Sequence, residues 1–490
     1  MSQAVQGTPR STAIDLTAGF NSLDRETRVD SLPLEGRLPD WLQGSLVRTG
    51  PARWEVGRQT MRHWFDGFAM LHRFGISGGE VSYANHFLQT KAYRAAEEKG
   101  EIVYSEFATD PCRSLFARVV SMFSPKISDN ANVNLVKLGE RYISMTETPI
   151  PVEFDGETLE TVGVAYETPG LLTTAHPHLD RASGGMLNYA AKIGPRNRYR
   201  FFHVPPAAKE PRVIGELPVK EPAYMHSFGL TERFFVLAEY PYVVNPIKIP
   251  LSGRPYIENY EWKPERGTRF TLIDRKTGDT VGPFETNAWF GFHHVNSYDD
   301  EDGTVVADIC VFDDAQIVED LYLERLRAGK PVSEPRFRRF RIDPKAGTVA
   351  DEELTEQGFD LPRINYMRCN ERPYRYVWGV GVGESGWLDV IVRADLSDRS
   401  TTTWSQPGHW PGEPVFVARP EAEDEDDGVL LSVVLDEAKG ASYLLVLDAR
   451  DLSELARAEA PHHIPFGFHG QFARGFRARS PVGSSPHAKE

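Results

Sequence analysis

The feature that most constrains this chain is a turn recurring at the ends of strand-like runs, an Asp followed within a few residues by Gly, Thr or Ser. It stands at Asp155-Gly156, Asp274 to Gly278, Asp343 to Gly347, Asp395 to Ser400 and Asp448 to Ser453. The last three begin at 343, 395 and 448, spacings of 52 and 53 residues, close to the roughly 40 to 50 of one propeller blade. The runs Phe234 to Ala238, Thr304 to Val311, Tyr376 to Val382, Leu388 to Val392 and Tyr443 to Leu447 are β-branched or aromatic, as strands require. Long helical periodicity is scarce. The pattern predicts an all-β chain, a β-propeller of about seven blades with loops on one face.

Length alone, at 490 residues, would suggest about three domains. No linker long enough to separate domains interrupts the chain, and the acidic run Glu421 to Asp427 reads as a surface loop between two strands. We therefore expect one catalytic unit over residues 14–478, with flexible tails at 1–13 and 479–490 that are rich in Ser, Pro, Gly and charge. The net charge of -15 argues against nucleic acid, which is held by clustered Lys and Arg. Cys112, Cys310 and Cys369 are too few for a disulfide framework or a thiolate zinc site. Neither a secretion-type apolar core near the start nor a membrane-length apolar window is present. These features predict a cytoplasmic protein, at most peripheral to a membrane.

Four of the fourteen histidines stand in unusual company. They are His176 in Thr174-Ala175-His176-Pro177, His226 in Met225-His226-Ser227-Phe228, His293 in Phe292-His293-His294-Val295, and His469 in Phe466-Gly467-Phe468-His469-Gly470. Each sits where a strand or tight loop would aim an imidazole into an enclosed space. Neutral imidazole suits iron, copper, nickel and zinc alike, so the residues alone leave the metal open. His178 and His294 neighbour the candidates, and alternation along a strand would point them the other way. The remaining histidines read as ordinary polar residues.

Beyond these motifs, Trp64-Phe65-Asp66-Gly67 with Met70-Leu71-His72, Thr146-Glu147-Thr148 and Glu413-Pro414-Val415-Phe416-Val417 complete a set that strongly resembles the carotenoid cleavage oxygenase family. The resemblance runs from about Leu34 to Phe472. It implies a seven-bladed propeller under a dome of loops and short helices. It also implies Fe(2+) held by His176, His226, His293 and His469, with Glu147, Asp360 and Glu413 hydrogen-bonded to His226, His293 and His469 respectively. Asp360 departs from the family's glutamate by one methylene, so either the backbone comes closer there or a water bridges the gap.

The implied chemistry adds both atoms of O2 across one alkene of an apolar polyene. It needs no protein acid, base or nucleophile. Phe65, Thr146 and Phe312 are the expected walls of the substrate tunnel. Asp110-Pro111-Cys112-Arg113, Asp129-Asn130-Ala131-Asn132-Val133-Asn134 and Leu361-Pro362-Arg363-Ile364-Asn365-Tyr366 resemble the animal-type branch of β-carotene dioxygenases and the retinoid isomerohydrolase. That implies central cleavage to retinal, with isomerohydrolase-like activity as one alternative. Stilbene-cleaving members carry a lysine where this chain has Thr146, which weakens that second alternative. Finally, Asp110 and Pro111 suit a helix start, and the apolar face of Leu115, Phe116, Val119, Val120, Met122 and Phe123 suits either packing on the dome or peripheral membrane contact over 112–123. Cys112 could carry a lipid.

Overall fold

The Asp turns fall at one position in the architecture. In the computed structural model, which describes residues 16–111, 127–194 and 196–474, each recurs between the third and fourth strands, counted from the inside, of an antiparallel sheet. The Asp side chain accepts backbone N–H groups two and three residues on, as at Lys345 (2.8 Å) and Ala346 (2.9 Å) from Asp343, a local bond that favours a turn. Four residues after each Asp the backbone is left-handed: Leu159 at φ 65, Gly278 at 77, Gly347 at 73, Arg399 at 61 and Leu452 at 60. The repeat read in the sequence is thus the outer hairpin of successive blades.

Seven such sheets, of four to six strands each, form the ring, which is the seven-bladed propeller expected. Numbered along the chain, blade 1 is built on Gly44–Arg53, Phe68–Ser77 and Glu80–Phe87, and blade 2 on Asn134–Leu138, Arg141–Met145, Val152–Phe154 and Thr161–Val164. Blade 3 holds Leu172–Thr173, His178–Asp180, Gly185–Lys192, Arg198–Val204 and Arg212–Pro218; blade 4 holds Gly229–Leu230, Phe234–Glu239, Thr268–Asp274 and Thr280–Thr286. Blade 5 comprises His294–Asp299, Val305–Val311, Arg336–Asp343 and Thr348–Glu353; blade 6 comprises Asp360–Arg363, Tyr376–Val382, Leu388–Asp395 and Ser400–Trp404. Blade 7 runs from His409–Pro411 and Val415–Ala418 through Gly428–Asp436 and Ala441–Asp448 to Glu454–Glu459.

Both ends of the chain close the ring. Gly470–Ala473 becomes the innermost strand of blade 1, with Arg48 opposite Gly470 and Ser45 opposite Ala473, while Leu34–Gly36 adds to the outer edge of blade 7. Pairing removes sheet edges that would otherwise be exposed. The apolar faces of neighbouring blades then pack on one another. Leu46, Phe74 and Tyr83 meet Val429, Leu431 and Leu444 between blades 1 and 7, and Trp378 and Ile391 meet Leu430 and Leu445 between blades 6 and 7.

Antiparallel order also decides where the long loops emerge. Insertions between the second and third strands, at 54–67, 240–267 and 312–335, and the crossing from blade 1 to blade 2 all leave the face opposite the Asp turns. They carry the helices Lys91–Lys99, Gln316–Asp320 and Leu323–Arg327 and form the dome. Asp66 ties it together, accepting from Thr109 Oγ1 at 2.6 Å and from Ala108 N at 2.8 Å; burial pushes its carboxyl up to about 6. Asn130, Asn132 and Asn134, two residues apart and therefore on one side of an extended chain, act as a ladder. Asn130 and Asn132 donate to Gly67 O at 2.9 and 2.7 Å, and Asn134 donates to Ala175 O at 2.8 Å. The amphipathic segment 112–123 and both expected tails, 1–13 and 479–490, lie outside the described residues.

The left-handed turn position gives a test. A Cβ at Gly347 would meet open space, so Gly347→Ala is expected to cost about 1 kcal/mol through backbone conformation alone, measured by denaturant unfolding. Arg399→Gly, at the same point of the next blade, should be neutral or stabilising. A larger loss at 399 than at 347 would show that side-chain contacts govern this turn instead.

Candidate metal centre

Each blade sends one polar group to the middle of the ring, from a break in its inner strand or from beside a strand end. In blade 3 the strand breaks between Thr173 and His178, with His176 in the gap, and in blade 7 it breaks between Pro411 and Val415, with Glu413 in the gap. His226 stands three residues before the inner strand of blade 4, His293 directly before that of blade 5, and His469 directly before the closing strand in blade 1. Glu147 follows the second strand of blade 2, and Asp360 opens the inner strand of blade 6. Such breaks release a side chain from strict alternation and aim it off the sheet face.

The four histidines converge. One ligand nitrogen from each of His176, His226, His293 and His469 lies within 4.8 Å of all the others. The Nε2 atoms of His176 and His226 are 3.0 Å apart, and those of His293 and His469 are 3.1 Å apart. Three of the rings are held from behind. His226 Nδ1 donates to Glu147 Oε1, His293 Nδ1 to Asp360 Oδ1 and His469 Nδ1 to Glu413 Oε1, each at 2.6 Å.

Asp360 therefore touches its histidine without an intervening water. The missing methylene is made up by the backbone, since Leu361 adopts φ 50 and the strand register shifts between Asp360 and Arg363. The positive φ of a branched residue here is a local cost that brings the shorter carboxylate into reach.

These contacts fix the protonation state. A neutral imidazole has one N–H and one lone pair, so a ring donating from Nδ1 presents a bare Nε2. Burial lowers the pKa of His176 and His226, and brings His469 down to about 4 despite Glu413, so these three rings are neutral near pH 7. The facing Nε2 lone pairs of His293 and His469 repel unless a cation lies among the four nitrogens. The donor set thus fits a divalent metal that favours imidazole.

Glu413 is the most elaborated of the three carboxylates. Burial alone would raise its pKa, but Arg363 and His469 outweigh burial and hold it down to about 2. Arg363 reaches both its oxygens, at 2.8 and 2.9 Å, and the Gly470 N–H donates to Oε2 at 2.9 Å. Glu147 similarly accepts from Tyr224 Oη at 2.8 Å. Sequence reasoning gave Arg363 and Tyr224 no role, although Arg363 lies three residues from Asp360 on the same strand. Thr174 Oγ1 accepts the His176 N–H at 2.9 Å and donates to the His226 carbonyl. His178 and His294 turn away, His178 to Phe228 O at 2.9 Å and His294 to Ser227 Oγ at 2.9 Å.

Two cavities border the histidines. The larger, about 510 Å³, is lined by Phe65, Thr146, Glu147 and His226 among others; the smaller, about 60 Å³, by Phe65, Phe312, His293 and His469. Phe65, Thr146 and Phe312 thus all stand on cavity walls. Phe65 borders both spaces, its ring 5.0 Å from Phe468 and 6.0 Å from Phe292.

A seven-bladed ring with a buried four-histidine, three-carboxylate centre under an apolar cavity defines a class of metal-dependent oxygenases. The comparisons give the family. The family model described as "Retinal pigment epithelial membrane protein" matches residues 20–474, and the chain belongs to this carotenoid oxygenase family. It is 34% identical over 502 residues to mouse (Mus musculus) "Beta,beta-carotene 15,15'-dioxygenase", covering 89% of this chain and 88% of that protein. It is also 34% identical over 526 residues to "Carotenoid-cleaving dioxygenase, mitochondrial" of Macaca fascicularis, covering 92% and 93%. Among solved structures, a variant of Synechocystis apocarotenoid oxygenase superposes with TM-score 0.84 at 26% identity, covering 94% of this chain and 98% of that one. A cobalt-substituted form of the same oxygenase gives TM-score 0.82.

We expect Glu147→Gln, Asp360→Asn and Glu413→Gln each to weaken metal binding by about 10 to 100-fold, read as metal content after dialysis against a chelator. Glu413→Gln should lose most, because the same carboxylate also holds Arg363 and the Gly470 N–H. Full metal retention by Glu413→Gln, in a folded protein, would contradict the arrangement.

Proposed function

We propose that this chain is a non-haem iron(II) dioxygenase that cleaves one C=C bond of a carotenoid or apocarotenoid with O2, near the centre of the polyene, to give retinal-type aldehydes. The observation that carries this reading is the convergence of four imidazoles beside an apolar cavity, in a chain whose relatives are named for carotenoid cleavage. Iron(2+), when bound by His176, His226, His293 and His469, would supply the one-electron chemistry that O2 needs.

The protein's own part is binding and orientation. Glu147, Asp360 and Glu413 hold three rings in the tautomer that presents Nε2. Phe65 and Phe312 give the polyene an apolar wall, so its register is set by shape. Thr146 offers no cation to a phenolate, which disfavours a stilbene substrate. Both oxygen atoms end in the two carbonyl products, so no side chain must act as acid or base.

Supply of such a substrate from a lipid surface is supported by exposed apolar residues beside the larger cavity, with Leu171 on its lining and Ile247 next to the lining residue Pro246. Among the described residues no helix is long and apolar enough to cross a membrane. We read the compartment as cytoplasmic from the cysteine usage, with Cys310 and Cys369 buried and free.

The test is incubation of iron-loaded protein with β-carotene, an apocarotenal and a hydroxylated stilbene under isotope-labelled O2, with products identified by mass. Labelled polyene aldehydes are expected. His176→Ala, His226→Ala, His293→Ala and His469→Ala should each lose iron and cleavage while staying folded. Stilbene turnover without polyene cleavage would overturn the reading, and, with a retinyl ester added to the panel, release of an isomerised retinol with no labelled aldehyde would point to isomerohydrolase activity.

A further inference from the structure

A second buried guanidinium stands near the carboxylate that holds His469. Arg48 lies on the strand Gly44–Arg53, opposite Gly470. It is only 6% exposed, and its Nε and Nη2 have no hydrogen-bond partner among the described residues. Arginine keeps its proton inside a protein, so enclosing it is costly unless an opposite charge meets it. Glycines give the side chain its room. A Cβ at Gly412 would stand 3.2 Å from both Nη1 and Nη2, one at Gly467 3.6 Å from Nη2, and one at Gly470 2.5 Å from Cγ.

Glu413 is the acid whose field reaches Arg48, but its oxygens are already taken. Oε1 accepts from His469 Nδ1 at 2.6 Å and stands 2.8 Å from Arg363 Nε. Oε2 accepts from Arg363 Nη2 and from the Gly470 N–H, each at 2.9 Å. Four groups around two oxygens are about as many as a carboxylate accepts. The charges that act on Arg48 are Glu413 and Arg363, which oppose each other in sign. Arg48 is thus left as a surplus cation in the interior.

The space it faces is small. Arg48 lines a cavity of about 20 Å³ with Trp64, Trp387, Gly412, Leu435 and Phe466 among others, room for about one particle of the size of water. Among the described residues that line it, no other is charged. Trp64, Leu361, Trp387 and Leu388 also line the smaller cavity beside His293 and His469, so the two spaces adjoin. A water here would accept hydrogen bonds and leave the charge unmatched. An anion satisfies the donors and the charge together.

We propose that this cavity binds one small monovalent anion of the halide class, held by the Nε–H and Nη2–H groups of Arg48. The anion supplies the counter-charge that Glu413 cannot, and Glu413 stays with His469 and Arg363. The site is separate from the polyene-cleaving reading and does not depend on which substrate is cut.

The experiment exchanges iron-loaded protein into gluconate to remove halide, then titrates bromide while following tryptophan fluorescence, to which Trp64 and Trp387 on the cavity wall contribute. Saturable quenching is expected, with the bromide Kd raised about 10 to 100-fold in Arg48→Met. Crystals grown in bromide and measured at the bromine absorption edge should show an anomalous peak within hydrogen-bonding reach of Arg48 Nε and Nη2. An ordered water at that position with no bromine signal would overturn the proposal. So would an unchanged bromide affinity in folded Arg48→Met. Should that variant fail to fold, the wild-type anomalous map still decides.

Discussion

Four imidazole nitrogens within 4.8 Å of one another are a constraint that almost everything else in the molecule serves. Neutral rings bring no charge to offset a metal, so such a site depends on how firmly the rings are held. The carboxylates do this by accepting hydrogen bonds from the Nδ1–H groups of His226, His293 and His469, leaving Nε2 lone pairs that face inward. The Nε2 atoms of His293 and His469 stand 3.1 Å apart, close enough for both to face one cation.

The propeller is suited to that task because each blade contributes a single group at the same depth of the ring. His469 shows how closely closure and site are joined. The strand Gly470–Ala473 that locks blade 1 begins at the residue after the ligand, and the Gly470 N–H donates to Glu413. Loss of that strand would open the ring and displace a histidine and a carboxylate together. The dome is coupled in the same manner, since Trp64 Nε1 donates to Phe466 O at 2.8 Å and Phe65 packs on Phe468. The wall of the cavity and the loop bearing His469 are therefore one packed unit.

Much of this was legible in the sequence, for identifiable reasons. The Asp turns of blades 5, 6 and 7 keep an even spacing because those hairpins lack insertions between one turn and the next. Between Asp274 and Asp343 the insertion at 312–335 stretches the interval, and in blade 3 the outer hairpin uses no Asp, so the repeat fades there. The histidine motifs were visible because each lies at a strand break or beside a strand start, with apolar residues nearby. The resemblance to a known family, and not the spacing, supplied the identity of the metal and the three carboxylates. Arg363 and Tyr224 were not legible, since their contacts depend on a strand bulge and on packing between blades. The reach of Asp360 was left open as either a closer backbone or a bridging water, and the φ of Leu361 resolves the geometry in favour of the backbone.

The most direct test of the central claim is X-ray absorption at the iron edge on the anaerobic, iron-loaded protein, combined with anomalous diffraction to place the ion. The account predicts a single ferrous ion centred among His176, His226, His293 and His469, with four imidazole nitrogens and no protein carboxylate in its coordination sphere. An ion bound through Glu147, Asp360 or Glu413, or an iron-loaded protein in which fewer than four of these rings contact the metal, would contradict it.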